Sequence, residues 1–552
     1  MESRRLRSSS LKNTLMDKRA FLAIALSIVV LVIYQEWVTR YYGTPPPTPE
    51  IAKETPEKPP GTEPAAPAAP AQSKAVEAPV SRETKDIRVE TDNYVALFTN
   101  QGARLKSFKF KKYRSSVDKD SPPFEIVRPA PGVPFPLGVR WQSPTPFDDE
   151  GLLYSIKGSD LKLTGDSKST LVFSGRTANG TVITKTFTFS GSTYPIEFEL
   201  SVTPAEGGAP VPEFILTARS DHSVPNHDAP FEGFIALVDN KIKRESHPEA
   251  GKAVEFVGDV SWAGFGYTYF FFGLLPDNGA QHRVSLQHSG PALVGGISGP
   301  PGTPGNVERY TIFVGPKELD ILKAVGKGLE SAIDFGYFGF IARPFLYVLH
   351  FFHGFTGSYG IDIILLTVVI KLLMAPLTHK SFVSMKQMQK LQPQMERLKE
   401  KFKNDKEKLN KEVMELYRRN GVNPLGGCLP MVLQFPVFIG LYNALSLPIE
   451  LRHAPFLWIK DLSRPDWESL PFTLGGWHLG IPVLTIFMGA SMFIQQWMTP
   501  SAGDPNQRKM MLMMPVLFTF MFVSFPAGLT VYWLVNNILT IGQQYWINRM
   551  EK

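Results

Sequence analysis

Residues 359–377 read YGIDIILLTVVIKLLMAPL, an apolar run of bilayer length that carries two charges, Asp362 and Lys371. A helix needs roughly 20 such residues to cross the hydrocarbon core. The run therefore reads as a membrane span, and it sets the class of the whole chain. A lysine near mid-span costs roughly 2.5–3.5 kcal/mol on insertion scales, so Lys371 marks a functional site unless its ammonium escapes to the interface. Escape is within reach, because Leu377 lies only about 9 Å further along a helix. Asp362 is a poor partner: nine residues at about 100° each put it on the opposite face. Thr367, one turn earlier, shares the face of Lys371.

Outward from this run the same pattern recurs. Apolar stretches fill 425–447, 479–498, 510–526 and 527–548, the last two divided by the turn Pro526-Ala527-Gly528. A further run, 20–38, follows a basic segment, 1–19. It is too long for a signal-peptide core and ends in Tyr34-Gln35-Glu36-Trp37 rather than a small-x-small site, so it reads as an uncleaved anchor. Met16 is an alternative start. Residues 39–84 are rich in Pro, Ala and Glu and form an extended linker. Between 85 and 316, short alternating runs such as Thr181 to Phe189 are punctuated by turn signals such as Asn179-Gly180, which predicts an all-β, sandwich-like domain.

Residues 317–355 form an amphipathic interfacial region. Leu322, Val325, Leu329 and Ile333 predict one helical face from Lys317 to Ile333. The apolar stretch Tyr337 to Phe352 is interrupted by Arg343-Pro344 and reads as a helix lying in the bilayer surface. Residues 379–424 are strongly basic and belong in the cytoplasm by the positive-inside rule. Six spans then put the termini, 1–19 and 549–552, and the loop 499–509 inside. The β domain and the loop 448–478 lie outside. The net charge of +7 is thus placed beside spans and not on a nucleic-acid face.

The basic segment has its own pattern. Met385, Met388, Leu391, Met395, Leu398 and Phe402 are spaced by threes and fours, and Leu409, Val413 and Leu416 resume the spacing after a turn at Lys403 to Lys406. This predicts a helical hairpin, with Pro393 kinking or breaking its first arm. It fits a solvated spacer and equally a docking arm presenting Lys386, Lys390, Arg397, Lys399, Lys401 and Lys403.

Gln434, Asn443, Asn536 and Asn537 either line a wet cavity with Lys371 or bond between helices. Methionines and aromatics crowd the last spans, among them Met488, Met492, Met513, Met521, Tyr532 and Trp533. Methionine suits varied apolar partners, although composition alone favours ordinary lipid-facing packing. His350 and His353 have ligand spacing but no third ligand nearby, and read as an interfacial pair. No metal or cofactor is implied. No Walker, G-x-S-x-G or zinc signature is present, which removes nucleotide-driven pumps and common hydrolases. The single cysteine, Cys428, excludes an intrachain disulfide.

The run Asn423-Pro424-Leu425-Gly426-Gly427-Cys428-Leu429-Pro430, followed by Gln434-Phe435-Pro436-Val437-Phe438, resembles the YidC family of membrane protein insertases. So do Pro376-Leu377-Thr378, Leu391-Gln392-Pro393, Ala454-Pro455-Phe456 and Phe525-Pro526-Ala527-Gly528-Leu529. The anchor, linker and β domain are similar in layout to the long Gram-negative form. The resemblance implies a multi-pass α-helical inner-membrane protein of six transmembrane helices, with a periplasmic β domain, a cytoplasmic helical hairpin and both termini in the cytoplasm. It implies a non-enzymatic insertase and chaperone, with a hydrophilic groove open to cytoplasm and lipid. Lys371 stands where the family usually has arginine, Thr367 at a groove-lining position, and Tyr532 and Trp533 at an aromatic pair on a substrate slide. Gln434 and Asn537 add polar lining. Implied partners are nascent membrane proteins, the lipid bilayer, Sec translocon components, the ribosome and targeting factors, without sequence-specific nucleic-acid binding. The long basic tail of some relatives is absent before Lys552. A secondary transporter would instead need repeats and coupling carboxylates, and a periplasmic assembly scaffold would place the function in the β domain.

Overall fold

A computed structural model describes residues 83–552, apart from 144, 206–209, 220–230, 246–247, 249–251, 278–280, 300–306, 424–428, 475–476, 500–504 and 551–552. The expected anchor and linker, and motif residues Pro424 to Cys428, lie outside the described residues.

Period-two sequence becomes period-two burial. In the strand Val182–Ser190, Ile183, Lys185, Phe187 and Phe189 point inward, while the intervening threonines face out. The described strands of the β domain form two sheets. One has five strands, in the order Pro123–Val127, Arg104–Arg114, Tyr94–Thr99, Asp86–Glu90 and Leu161–Lys162. The other is much larger. Its long strand Ala253–Tyr267 pairs with Gln281–Ser289 along its first half, and with Phe231–Val238 and Phe270–Pro276 along its second. Aromatic rings join the sheets: Phe98 of the small sheet packs on Phe187 at 5.1 Å, and Phe110 stacks on Phe270 at 4.7 Å. Each fully buried phenylalanine contributes roughly 1.5–3 kcal/mol.

The inward lysine is satisfied from afar. Lys185 Nζ lies 2.6 Å from Asp149 Oδ2 and donates to the carbonyls of Gly102 and Leu137 at 2.6 and 2.8 Å. Arg104 Nη2 reaches Asp149 Oδ1 at 2.8 Å, and the Tyr154 hydroxyl donates to Asp149 Oδ2 at 3.1 Å. Burial pushes the Lys185 ammonium down to about 8, against the opposing pull of Asp149.

The joint to the helical region corrects one expectation. No helix spans Lys317 to Ile333. The first described α-helix, α1, covers only Leu319–Val325 and is followed by a 3-10 turn, Leu329–Ala332. Gly326, Lys327 and Gly328 have φ of 83°, 53° and 68°, and a right-handed helix cannot pass through three such residues. Lys317 lies before α1, buried against Glu232 at 2.6 Å. The apolar spacing still serves packing, because Leu322, Leu329 and Ile333 enter the β-domain core.

Helix α2, Gly339–Thr356, runs unbroken through Pro344. Helix α3, Tyr359–Lys390, continues past Leu377 into the basic segment. It yields at Leu391 to α4, Gln392–Lys401, where Pro393 occupies the first turn and a missing N–H costs nothing. Helix α5, Lys406–Arg419, is capped by Asp405, which accepts from the Lys408 N–H at 3.0 Å. The Tyr417 hydroxyl meets Met395 Sδ at 2.9 Å and closes the hairpin. Helices α6, Leu429–Ser446, α7, Val483–Met498, α8, Pro505–Phe522, and α9, Ala527–Met550, complete the described chain.

Leu366, Leu441, Met488, Phe522 and Tyr532 form the helical core. Leu372, Leu373, Phe435, Trp497 and Phe520 face outward. Apolar surface on this scale is stable in lipid and a liability in water. Among the described residues, α3 alone is both long and apolar enough to cross a membrane. The apolar stretches of α6, α7 and α8 are shorter, so these lengths do not establish a count of six spans.

Contacts tie the β domain to the helices. Asn443 donates to the Phe335 carbonyl at 2.7 Å, and Arg452 donates to the Arg114 carbonyl at 2.7 Å while lying 5.5 Å from the Phe124 ring. His350 on α2 places Nε2 3.2 Å from Glu450 Oε1 and Nδ1 4.0 Å from Asp320 Oδ2. The Glu450 carboxylate raises the imidazole above its ordinary 6.5, against the effect of burial, and Asp320 and Glu318 act in the same sense. The resulting stabilisation is complete below the ordinary value and is lost as pH rises through the raised one. Thermal unfolding of the detergent-solubilised chain should show Tm falling as pH rises above the ordinary histidine value of 6.5. His350→Asn should flatten that fall; an unchanged profile would place the pH dependence elsewhere.

Candidate functional site

Lys371 sits on α3, and its ammonium turns toward α9. Lys371 Nζ donates to Thr540 Oγ1 at 2.6 Å, and Thr540 donates to the Asn536 carbonyl at 2.6 Å. Depth can be read from the contact where Gly528 on α9 meets Ile363 on α3. From that level Lys371 lies about 12 Å along α3 and Thr540 about 18 Å along α9. The side chain therefore leans about one helical turn toward the C-terminal end of α3 and stops there. The next polar rung is the pair formed by Gln543 Nε2 and Thr378 Oγ1, at 3.0 Å. Among the described residues, no carboxylate lies within ion-pair distance of Lys371.

The other predicted residues fall into separate places. Thr367 is buried, and its hydroxyl donates to the Ile363 carbonyl of its own helix at 2.6 Å. Gln434 on α6 donates to the Tyr532 hydroxyl on α9. Trp533 packs edge-on against Phe438 at 5.4 Å and beside Phe522 at 5.2 Å. Asn537 is buried and donates to Ser491 Oγ on α7 at 2.9 Å. Asn443 lies at the β-domain joint, away from these contacts. Lys386 and Lys390 ride the end of α3, Arg397, Lys399 and Lys401 stand on α4, and Lys403 follows in the turn. All of these except Lys386 are exposed.

The methionines divide. Met488 is in the core, whereas Met513, Met514 and Met521 face outward. The histidines of α2 diverge: His350 faces Glu450, while His353 Nδ1 lies 2.7 Å from Asp362 Oδ2. Asp362 thus has a partner at the N-terminal end of α3, far from Lys371.

Thr540, Ser491 and Gln543 were not singled out by sequence reasoning. A signal existed: Asn536, Asn537, Thr540, Gln543 and Gln544 recur by threes and fours along α9, a polar stripe on a helix otherwise rich in apolar residues. The arrangement can hold a cation among neutral hydrogen-bonding groups between apolar helices. It contains no nucleophile–base pair among the residues described.

Residues 351–552 match the family described as 60Kd inner membrane protein, and residues 86–348 match the YidC periplasmic domain. The membrane protein insertase YidC of Syntrophus aciditrophicus is 41% identical over 97% of this chain and 100% of its own. That of Pelobacter propionicus is 40% identical over 97% and 99%. A crystal structure of an active YidC insertase with its first transmembrane domain resolved aligns over 85% of this chain and 94% of its own, with 17% identity and a TM-score of 0.37. On the strength of full-length relatives at about two identical residues in five, this chain belongs to the YidC family of membrane protein insertases.

Proposed function

We propose that this chain inserts nascent membrane proteins into the inner membrane and assists their folding, through a hydrophilic groove beside Lys371. The observation that carries the reading is an ammonium held by a neutral hydroxyl inside an apolar helix set. A charge so placed, without an acidic partner among the described residues, attracts anionic groups on an incoming polypeptide. The polar tail enters from the cytoplasm, which shortens the hydrocarbon path that it must cross. Its apolar segment then slides past Tyr532 and Trp533 into lipid. Burial of its side chains drives the step, and the membrane potential adds about 2.3 kcal/mol per charge per 100 mV for acidic tails moving to a positive exterior. No nucleotide and no covalent step is required.

The topology belongs to the same proposal: six spans, both termini and the hairpin α3–α5 cytoplasmic, and the β domain periplasmic. The exposed Lys390, Arg397, Lys399, Lys401 and Lys403 suit docking of the ribosome and targeting factors, and the work is done alone or beside the Sec translocon. Thr367, Gln434 and Asn537 act here as framework for the groove, since each is already hydrogen-bonded within the helices.

The test is protease protection of a small acidic-tailed membrane protein synthesised with proteoliposomes that contain this protein alone. A protected, membrane-integrated tail above the empty-liposome level is the expected result. Protection no greater than with empty liposomes would refute autonomous insertion.

A further inference from the structure

Thr540 has one proton to give, and it gives it to the Asn536 carbonyl, 2.6 Å away on its own helix. Toward Lys371 it can therefore offer only lone pairs. A threonine in a helix has few χ1 choices, and the back-bond to the preceding turn fixes one of them. The oxygen that receives the ammonium is thus preset in direction, and it belongs to a residue that is only 6% exposed. An ammonium has three donors. Thr540 takes one, leaving charge and donors available for an incoming group.

The alternatives open to Lys371 are visible on the same face. The next rung toward the helix end, Thr378 with Gln543, is occupied: Gln543 donates to Thr378, and Thr378 donates to the Met374 carbonyl at 3.1 Å. Among the described residues Thr540 is the acceptor that holds the ammonium, so loss of its hydroxyl removes that hold. A four-carbon stem would carry it toward water.

We propose that Thr540 is a positioning residue: it retains the Lys371 ammonium within the helix bundle, and its neutrality leaves that charge free to select anionic polypeptide segments. The inference rests on the charged-groove reading given above. It adds that selectivity depends on a hydroxyl of α9 as well as on the lysine of α3. A carboxylate at the same place would hold the lysine equally well and cancel its charge.

The experiment measures insertion of two versions of one small single-span protein, with a translocated tail that is either acidic or has each acid replaced by its amide. The ratio of the two yields is read in proteoliposomes containing the full chain. Thr540→Ser keeps the hydroxyl and should keep the wild-type ratio. Thr540→Val keeps the shape, removes the acceptor and should lower the ratio about tenfold, the scale of one hydrogen bond to a charged group. Thr540→Asp should lower it to the level of Lys371→Leu. Yield of the amide version controls for folding. A wild-type ratio in Thr540→Val, or an equal loss of both substrates, would overturn the proposal while leaving the groove reading intact. A wild-type ratio in Lys371→Leu would sink the groove reading itself, and this inference with it.

Discussion

Insertion of an acidic-tailed substrate should fall about tenfold to a hundredfold when Lys371 becomes leucine, and should survive when it becomes arginine. The size follows from a hydrogen bond between charged groups in a partly dry site, roughly 1.5–3 kcal/mol. Arginine keeps the charge and adds a planar fork able to grip a carboxylate with two donors. Leucine should not harm the fold. It removes a charge that costs roughly 2.5–3.5 kcal/mol in a span, so its thermal stability should equal or exceed wild type. Activity and stability are thus expected to move apart, which separates a working residue from a structural one. Equal insertion by the leucine variant and wild type would reduce Lys371 to a lysine leaning toward water.

The second large effect lies in the β domain. Asp149→Ala should destabilise it by about 3–5 kcal/mol, because two buried cations, Lys185 and Arg104, lose the carboxylate between them. Set against a typical total of about 5–15 kcal/mol for a domain, that loss is severe. Limited proteolysis of the full chain should show cleavage within residues 86–316 while the helical region stays resistant. Insertion of the acidic-tailed substrate should persist, since no groove residue is touched. If insertion disappears while the helices remain folded, the function resides in the β domain, as a periplasmic scaffold would require. Resistance of the β domain itself would show that the triad contributes little.

Much of the architecture was legible in the chain. Alternation from Thr181 to Phe189 announced a strand with one buried face, because side chains in a strand alternate by geometry alone. In the structure Lys185 falls on that buried face, and nothing nearby in sequence points to Asp149, 36 residues earlier in the chain. The expected helix from Lys317 to Ile333 failed because apolar spacing says which side chains are buried and not whether the backbone between them is helical; the glycines at 326 and 328 decided that. Lys371 was legible because charge in an apolar run is costly. Its acceptor was not, since Thr540 is 169 residues away and looks ordinary in its own segment. Long-range pairing is the information that a linear pattern lacks.

Helix α3 has a mechanical consequence. It is one continuous rod of 32 residues, about 48 Å long, with Lys371 in its N-terminal half and the basic hairpin at its far end. Lys390 lies about 28 Å beyond Lys371 along that rod. A load applied at the hairpin is therefore not absorbed by a slack tether but delivered as a bending moment. Pro376 cannot donate to the carbonyl one turn before it, which makes its neighbourhood the most compliant point of the rod. That point lies about 8 Å from Lys371. Tilting of the outer half of the lever would pivot beside the site that holds the charge, so mechanical force at the hairpin and electrostatics at Lys371 share a single beam.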